Sequence, residues 1–346
     1  MKILITGGAG FIGVNVANRF ADDHEVLIVD DLSRDGAEKN LQWIQDQKNV
    51  GFAKVDIRNF ERLESTIKDF QPDAVYHLAA QVAVTTSVVD PRYDFEVNAL
   101  GTFNVLESVR QHCPKALVAY ASTNKVYGGM EDVAIVNTGS RYAYENLPEG
   151  VSEQRILDFH SPYGCSKGAA DQYIIDYARI YNMNTVSFRQ SCIYGTRQFG
   201  VEDQGWVAWF TIASHFEKSI TLYGDGQQVR DVLWIEDLVD LYEMALHKKS
   251  DLKGHAFNVG GGPENTLSLL ELLDILGNEF GRKIEFGFDD WRPGDQRVYI
   301  SSINKAKKFF GWAPKMKPEK GVAELKKWVV ANEHLFTENR LVKKAS

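Results

Sequence analysis

Apolar residues first gather at Lys2-Ile-Leu-Ile-Thr6, a short run of the β type. Behind it stands a glycine cluster, Gly7-Gly-Ala-Gly-Phe-Ile-Gly13, and then a helical pattern as far as Phe20. Further strands are predicted at 25–29, 50–55, 73–77, 116–122, 184–188 and 255–259, with a strand and turn at 221–226 and an apolar run at 231–237. Helices are predicted at 60–69, 95–111, 207–218, 267–280 and 319–332, and from Pro162 onward, where a proline early in a helix loses no hydrogen bond. Between 129 and 157 the pattern dissolves into Gly, Asn, Ser, Glu and Pro. A segment so long and irregular reads as a loop covering a substrate. The tail after Glu333 is expected to fray.

Strands alternating with helices predict an α/β fold: a doubly wound parallel sheet of Rossmann type with a smaller, discontinuous C-terminal lobe for substrate. The sheet domain is expected to take residues 1–190 and 231–260, and the lobe residues 191–230 and 261–335. A chain of 346 residues is long enough for both. Its 44% hydrophobic and 25% charged residues are ordinary for a globular enzyme, and a net charge of -8 argues against nucleic acid as a partner. No apolar run approaches the ~20 residues that span a membrane. The glycines arrive before a signal peptide could be completed, and Cys113, Cys165 and Cys192 form neither a pair nor a metal-binding spacing. The chain therefore reads as cytoplasmic, without a metal site, its cysteines structural.

The candidate chemistry begins in the glycine cluster. Strand, Gly7-x-x-Gly10-x-x-Gly13 and helix form the context in which a dinucleotide pyrophosphate rests on a helix N-terminus, here opened by Phe11 and Ile12. Gly7 and Gly10 let the backbone approach the phosphates, and Gly13 lets the helix pack closely on the strand. Asp30, with Asp31 beside it, ends the next strand about 20 residues on, where a carboxylate accepts from ribose hydroxyls and repels a 2′-phosphate. NAD is thus expected rather than NADP, although Arg34 nearby is of the type that receives such a phosphate. Asp56 and Ile57, at the end of the third strand, are placed to meet an adenine ring. Leu78, Ala79 and Ala80 follow the fourth strand as small residues beside the cofactor, and Asn98 lies near the start of the next helix.

Tyr163 and Lys167 are four residues apart on the helix after Pro162 and so share one face. An ammonium fixed beside a phenol, whose ordinary pKa is about 10, makes it a usable proton acceptor near neutral pH. Thr123, just past a strand end, can hold a substrate oxygen against that phenol. Gln81, Asn124, Gln190, Ser191, Arg197 and Gln204 are candidate donors to a sugar, in stretches that also carry aromatic rings for a nucleotide. Arg230 and Arg292 form a natural clamp for a diphosphate.

With these motifs in one order, the chain resembles the extended short-chain dehydrogenase/reductase family of nucleotide-sugar epimerases and dehydratases, over residues 1–332. The resemblance implies catalysis by Thr123, Tyr163 and Lys167, the last also holding the nicotinamide ribose. It implies a nucleotide-diphosphate sugar as substrate and a homodimer or homotetramer as assembly. The family's dehydratases resemble one another in an Asp-Glu pair after the active-site Thr; here those positions hold Asn124 and Lys125, the latter expected to face solvent, so dehydration is disfavoured. The runs Asp158-Phe-His-Ser-Pro-Tyr-Gly-Cys-Ser-Lys-Gly-Ala-Ala-Asp-Gln-Tyr173 and Tyr194-Gly-x-Arg-Gln-Phe199 resemble those of family epimerases that act at C2 of a CDP-sugar. Residue spacing itself does not separate C2 from C4, or cytosine from uracil.

Overall fold

The computed structural model describes residues 1–292 and 295–337. β1 (Lys2–Thr6) passes through the glycine turn into α1 (Phe11–Phe20), followed by β2 (Glu25–Asp30), α2 (Ala37–Ile44), β3 (Val50–Lys54), α3 (Phe60–Phe70) and β4 (Ala74–His77). Then come α4 (Val84–Val89), α5 (Pro91–Phe95), one π-helical turn at Glu96–Leu100, α6 (Gly101–His112) and β5 (Leu117–Thr123). A small hairpin, Ile135–Asn137 with Tyr142–Tyr144, precedes the long α7 (Ser161–Tyr181). Asn184–Gln190 and His255–Val259 complete a seven-stranded sheet, ordered His255–Val259, Asn184–Gln190, β5, β4, β1, β2, β3. Every pairing in it is parallel.

That order reverses between β1 and β4, so the chain leaves the centre of the sheet in both directions and a crevice opens where it does. Successive side chains of a strand point to opposite faces. Ile3 and Ile5 therefore join the core formed with α1 and α2, while Leu4 joins the one formed with α3, α6 and α7. The continuous apolar character of β1 and β4 follows from burial on both sides.

Several predicted elements are altered. The helix expected over 95–111 is three pieces, because a π turn around Asn98 carries its side chain against the backbone of Gln81. The apolar run at 231–237 divides: Val229–Trp234 is a strand of a smaller sheet, between Cys192–Tyr194, Thr266–Ser268 and Val298–Tyr299, and helix Ile235–His247 starts directly after it. Its buried Ile235, Leu238, Val239, Tyr242, Ala245 and Leu246 carry the three-and-four spacing that announces a helix, so this signal was in the sequence. The strand at 221–226 is Ile220–Tyr223, paired in parallel with Phe286–Asp289.

The segment 129–157, expected to be a loop covering a substrate, is sewn to the smaller sheet. Tyr142 donates from its amide to the Gln227 carbonyl, Tyr144 from its hydroxyl to that of Val298, and Val151 from its amide to that of Ile300. Met130 and Val151 are buried with Val126, Tyr127 and Tyr299. Its backbone groups are satisfied by long-range partners that no local pattern reveals. The expected fraying of the tail falls largely on residues 338–346, outside those described; His334–Thr337 is a short helix. No helix among the described residues is long and apolar enough to cross a membrane.

α7 is fixed to the sheet by a buried ion pair. The Arg189 guanidinium meets Asp171 at 2.8 and 3.2 Å, with side chains 4% and 0% exposed. Arg189 also donates to the Tyr127 hydroxyl, which donates to Asn258. Removing one partner of such a pair leaves a buried charge unmatched. Asp171→Ala is therefore expected to cost roughly 3–5 kcal/mol of stability, read from the denaturant midpoint; a loss below about 1 kcal/mol would show that the pair does not anchor the helix.

Candidate active site

At the end of β1, Gly7 has a φ of +67° and lies so close to the strand-end loop of β4 that an added Cβ would be 2.6 Å from the Ala79 amide nitrogen. A Cβ at Gly13 would be 2.3 Å from the Gly7 carbonyl oxygen. Glycine is thus required by contact at both positions and by backbone conformation at Gly7 as well. α1 begins at Gly10 with no side-chain cap and no acidic residue in its first turn. Its free amides favour an anion at that end.

Asp30 closes the cradle from the tip of β2. It accepts from the Ala9 amide at 3.0 Å and the Leu32 amide at 2.8 Å. Burial raises its carboxyl above the ordinary range, and the two amides pull it back. Asp31 accepts from the amide and hydroxyl of Ser33. Arg34 leaves this loop to bond Gln204 on the far rim. Asp56 is held by Arg58 at 2.6 Å, and Ile57 is buried against Gly101. Leu78, Ala79 and Ala80 are half-buried opposite the glycines. An uncapped helix end, a side-chain-free approach and a carboxylate at the next strand tip fit a dinucleotide.

α7 brings its reactive pair to the same edge. His160 stands at its N-cap position, Pro162 lies in its first turn, and the Phe159 ring packs so tightly on Gly168 that a Cβ there would be 2.4 Å from it. Tyr163 and Lys167 are 8% and 3% exposed. The Lys167 ammonium donates to the Ala121 carbonyl at 2.6 Å and sits 4.2 Å from the Tyr120 ring centroid. Burial pushes the Tyr163 phenol up to about 12, opposed by a hydrogen bond with Thr123. Burial also brings Lys167 down to about 7, opposed by the charges of Asp171 and Asp94. Thr123 is the last residue of β5, not just beyond it, and faces Gln190 across the sheet. The structure thus brings Thr123, Tyr163 and Lys167 together, and the group can exchange a proton with a hydroxyl presented at the strand ends.

The remaining candidates divide. Asn124 is buried beside Thr123, Gln190 donates to Tyr242, and Ser191 donates to the buried Asp231. Gln81 is occupied within its own turn by Ala83, and its amide donates to Asn98. Arg230 is bound to Asp295 at 2.6 Å; Arg292 meets Asp203 at 3.0 Å and lies 3.9 Å from the centroid of the Tyr223 ring. Each arginine of the expected clamp therefore already holds a carboxylate. Arg197 stands apart: its guanidinium stacks 4.0 Å from the Trp43 ring centroid, with Trp328 also near, and burial lowers it to about 10.

Lys125 does not face solvent. It is half-buried, and burial lowers its pKa in a setting that includes Arg230, Asp295 and Cys192. The 3-10 turn Asn124–Tyr127, begun by the Thr123 hydroxyl accepting from the Lys125 amide, carries it inward. Sequence reasoning also passed over Asp94 and Ser166, which bond to one another beneath the pair. Ser166 adjoins a recognised lysine, whereas nothing local marks Asp94.

The family described as GDP-mannose 4,6 dehydratase matches residues 4–325. The chain belongs to this family. It is an extended short-chain dehydrogenase/reductase, among nucleotide-sugar epimerases and dehydratases. CDP-paratose 2-epimerase of Salmonella typhi is 46% identical over 334 residues, 95% of this chain and 99% of the relative. dTDP-glucose 4,6-dehydratase 1 of Escherichia coli is 30% identical, over 96% and 93%. The solved UDP-glucose 4-epimerase of Thermus thermophilus, a complex with NAD, superposes with a TM-score of 0.81 at 31% identity, covering 96% of this chain and all of its own.

Within this family's cradle, Gly13→Ala places a methyl group on the Gly7 carbonyl. It is expected to lower stability by about 1–3 kcal/mol and to abolish the thermal shift that a dinucleotide produces. An undiminished shift would show that the close approach of α1 does not shape the cradle.

Proposed function

We propose that this enzyme epimerises a nucleotide-activated sugar at C2 through a ketosugar, with NAD as cofactor and CDP-paratose and CDP-tyvelose as the pair interconverted. The observation that carries it is the Thr123–Tyr163–Lys167 group beside a dinucleotide cradle, in a chain 46% identical to a CDP-paratose 2-epimerase. Asn124 and Lys125 support epimerisation over dehydration, since neither is a carboxylic acid able to assist the loss of water.

In this reading the glycine turn and the α1 N-terminus hold the pyrophosphate, and Asp30 the adenosine ribose. When bound, NAD supplies reversible hydride exchange with the sugar carbon. Thr123 holds the sugar oxygen. Tyr163 takes the hydroxyl proton as the carbon is oxidised and returns it after the ketosugar has presented its other face. Lys167 makes this possible by sharing one proton with the phenol. Between about 7 and about 12 the ligand-free pair carries a single proton, and the competent form places it on the amine. Arg230 and Arg292 exchange carboxylate partners for the diphosphate. The smaller lobe, expected at residues 191–230 and 261–335 but sharing the whole strand Val229–Trp234, takes the nucleotide in this reading. Exposed Phe103, Tyr173, Ile180 and Tyr181 on α6 and α7 support a homodimer.

Tyr163→Phe is expected to retain nucleotide-sugar binding while turnover falls by about 10²–10⁴. A near-normal rate would remove Tyr163 from the chemistry. In deuterated water, a CDP-sugar epimerised by direct hydride return keeps protium on its carbon, as NMR would show; deuterium there would instead establish proton abstraction. A UDP-sugar inverted at C4 under the same conditions would replace the substrate named above. Turnover should fall as pH drops through or below about 7, because the pair then gains a second proton and Tyr163 can no longer accept one. A rate that stays flat down to pH ~5 would overturn this assignment of the pair.

A further inference from the structure

Asp94 is fully buried on α5, directly before the π turn, and it has no part in the mechanism above. Its two oxygens accept from different donors: the Ser166 hydroxyl on one side and the Asn98 amide on the other, at 3.1 Å. The orientation of Asn98 is fixed, because its carbonyl oxygen accepts from the Gln81 amide and its nitrogen faces the Gln81 carbonyl at 3.0 Å. Burial raises the Asp94 carboxyl above the ordinary range, and the Ser166 hydroxyl, the Lys167 charge and the Asn98 amide oppose that rise. Ser166 is the residue before Lys167; its hydroxyl also meets the Tyr163 carbonyl and accepts from the Asn98 amide at 3.2 Å.

The charges around Lys167 are few. Asp171, one turn further along α7, is matched by Arg189 and by the Ser187 hydroxyl. His77, beneath the lysine, is kept neutral: its Nε2 faces the Thr102 hydroxyl, whose proton goes to the Asn98 carbonyl, and its Nδ1 faces Thr6. Burial lowers its pKa to about 3. Tyr120 and Tyr163 present a ring and a phenol; the Asp94 charge raises the phenol as it raises Lys167, and Arg34 is a cation that opposes it on the Tyr163 side. Among the described residues, Asp94 is the carboxylate near Lys167 that no cation neutralises at hydrogen-bond range.

We propose that Asp94 is a positioning residue for the reaction: pinned by Ser166 and Asn98, it is the counter-charge that holds Lys167 as an ammonium against its burial, beside the Tyr163 phenol. It touches neither substrate nor cofactor in this role. It acts through the lysine, and the π turn that delivers Asn98 is the device that holds it. The proposal rests on the epimerase reading above, but it fails separately from it.

The sign follows from the charge. A negative group favours the doubly protonated pair over the singly protonated one, so its removal lets the second proton leave at lower pH. Asp94→Asn should retain the fold and the KM for nucleotide sugar within about twofold. Its plateau kcat should fall roughly tenfold or more, and the acid limb of its pH profile should move down by at least about half a unit. A reduced rate with the limb at its wild-type position would show that Asp94 only supports packing. It would overturn the proposal while leaving the epimerase reading, which Tyr163→Phe tests, intact. If Asp94→Asn does not accumulate as folded protein, Ser166→Ala decides. It strips the carboxylate of one donor and should move the limb the same way by a smaller amount; an unmoved limb overturns the proposal.

Discussion

The desolvation of Tyr163 and Lys167 is what the rest of the structure accommodates. A phenol and an amine taken out of water both resist their charged forms, the first by rising to about 12 and the second by falling to about 7. A pair left so would be inert. Everything packed around it moves that balance: the Ala121 carbonyl and the Tyr120 ring accept the ammonium, Thr123 serves the phenol, and α7 is held in register by Asp171 on Arg189. The sheet contributes rigidity, so these groups keep their geometry.

What the sequence displayed was what lies close together along it. The glycine turn with its adjoining strand and helix is one continuous stretch, Lys2 to Phe20, and Tyr163 and Lys167 are one helical turn apart, so both are written locally. Asp30 depends on a second strand, but on one that pairs with β1 in simple parallel register, and its distance from the glycines is short. The partners of Arg197 could not be seen in the same way. Trp43 and Trp328 come from distant helices, and only the folded chain shows the guanidinium lying against them. Lys125 was misread because a lysine after a strand ordinarily reaches solvent, whereas a 3-10 turn begun by Thr123 directs this one inward.

The irregular stretch 129–157 was illegible for a related reason. Its regular structure is two three-residue strands, and its stability comes from Tyr142, Tyr144 and Val151 meeting residues of the smaller sheet far along the chain. Polar, glycine-containing sequence is what such a segment needs at its exposed turns, and it is also what a mobile cover would show. Helix Ile235–His247 is a different kind of miss. Its periodicity was present but ran directly on from an apolar strand, with no glycine or proline between Trp234 and Ile235 to mark the change.

The π turn at Glu96–Leu100 has a bearing on the whole α6 side of the sheet. Such a turn winds one residue more than an α-helical turn, and each residue of an α-helix advances it by about 100°. Its presence sets the rotational phase of α6 relative to α5, which is why Gly101 faces Ile57 while Asn98 faces Gln81. Loss of a single residue here would restore an unbroken helix yet swing one of those two faces away. Length in this segment is therefore under tighter constraint than composition, and a change of one residue there alters the site as surely as a change in Tyr163 itself.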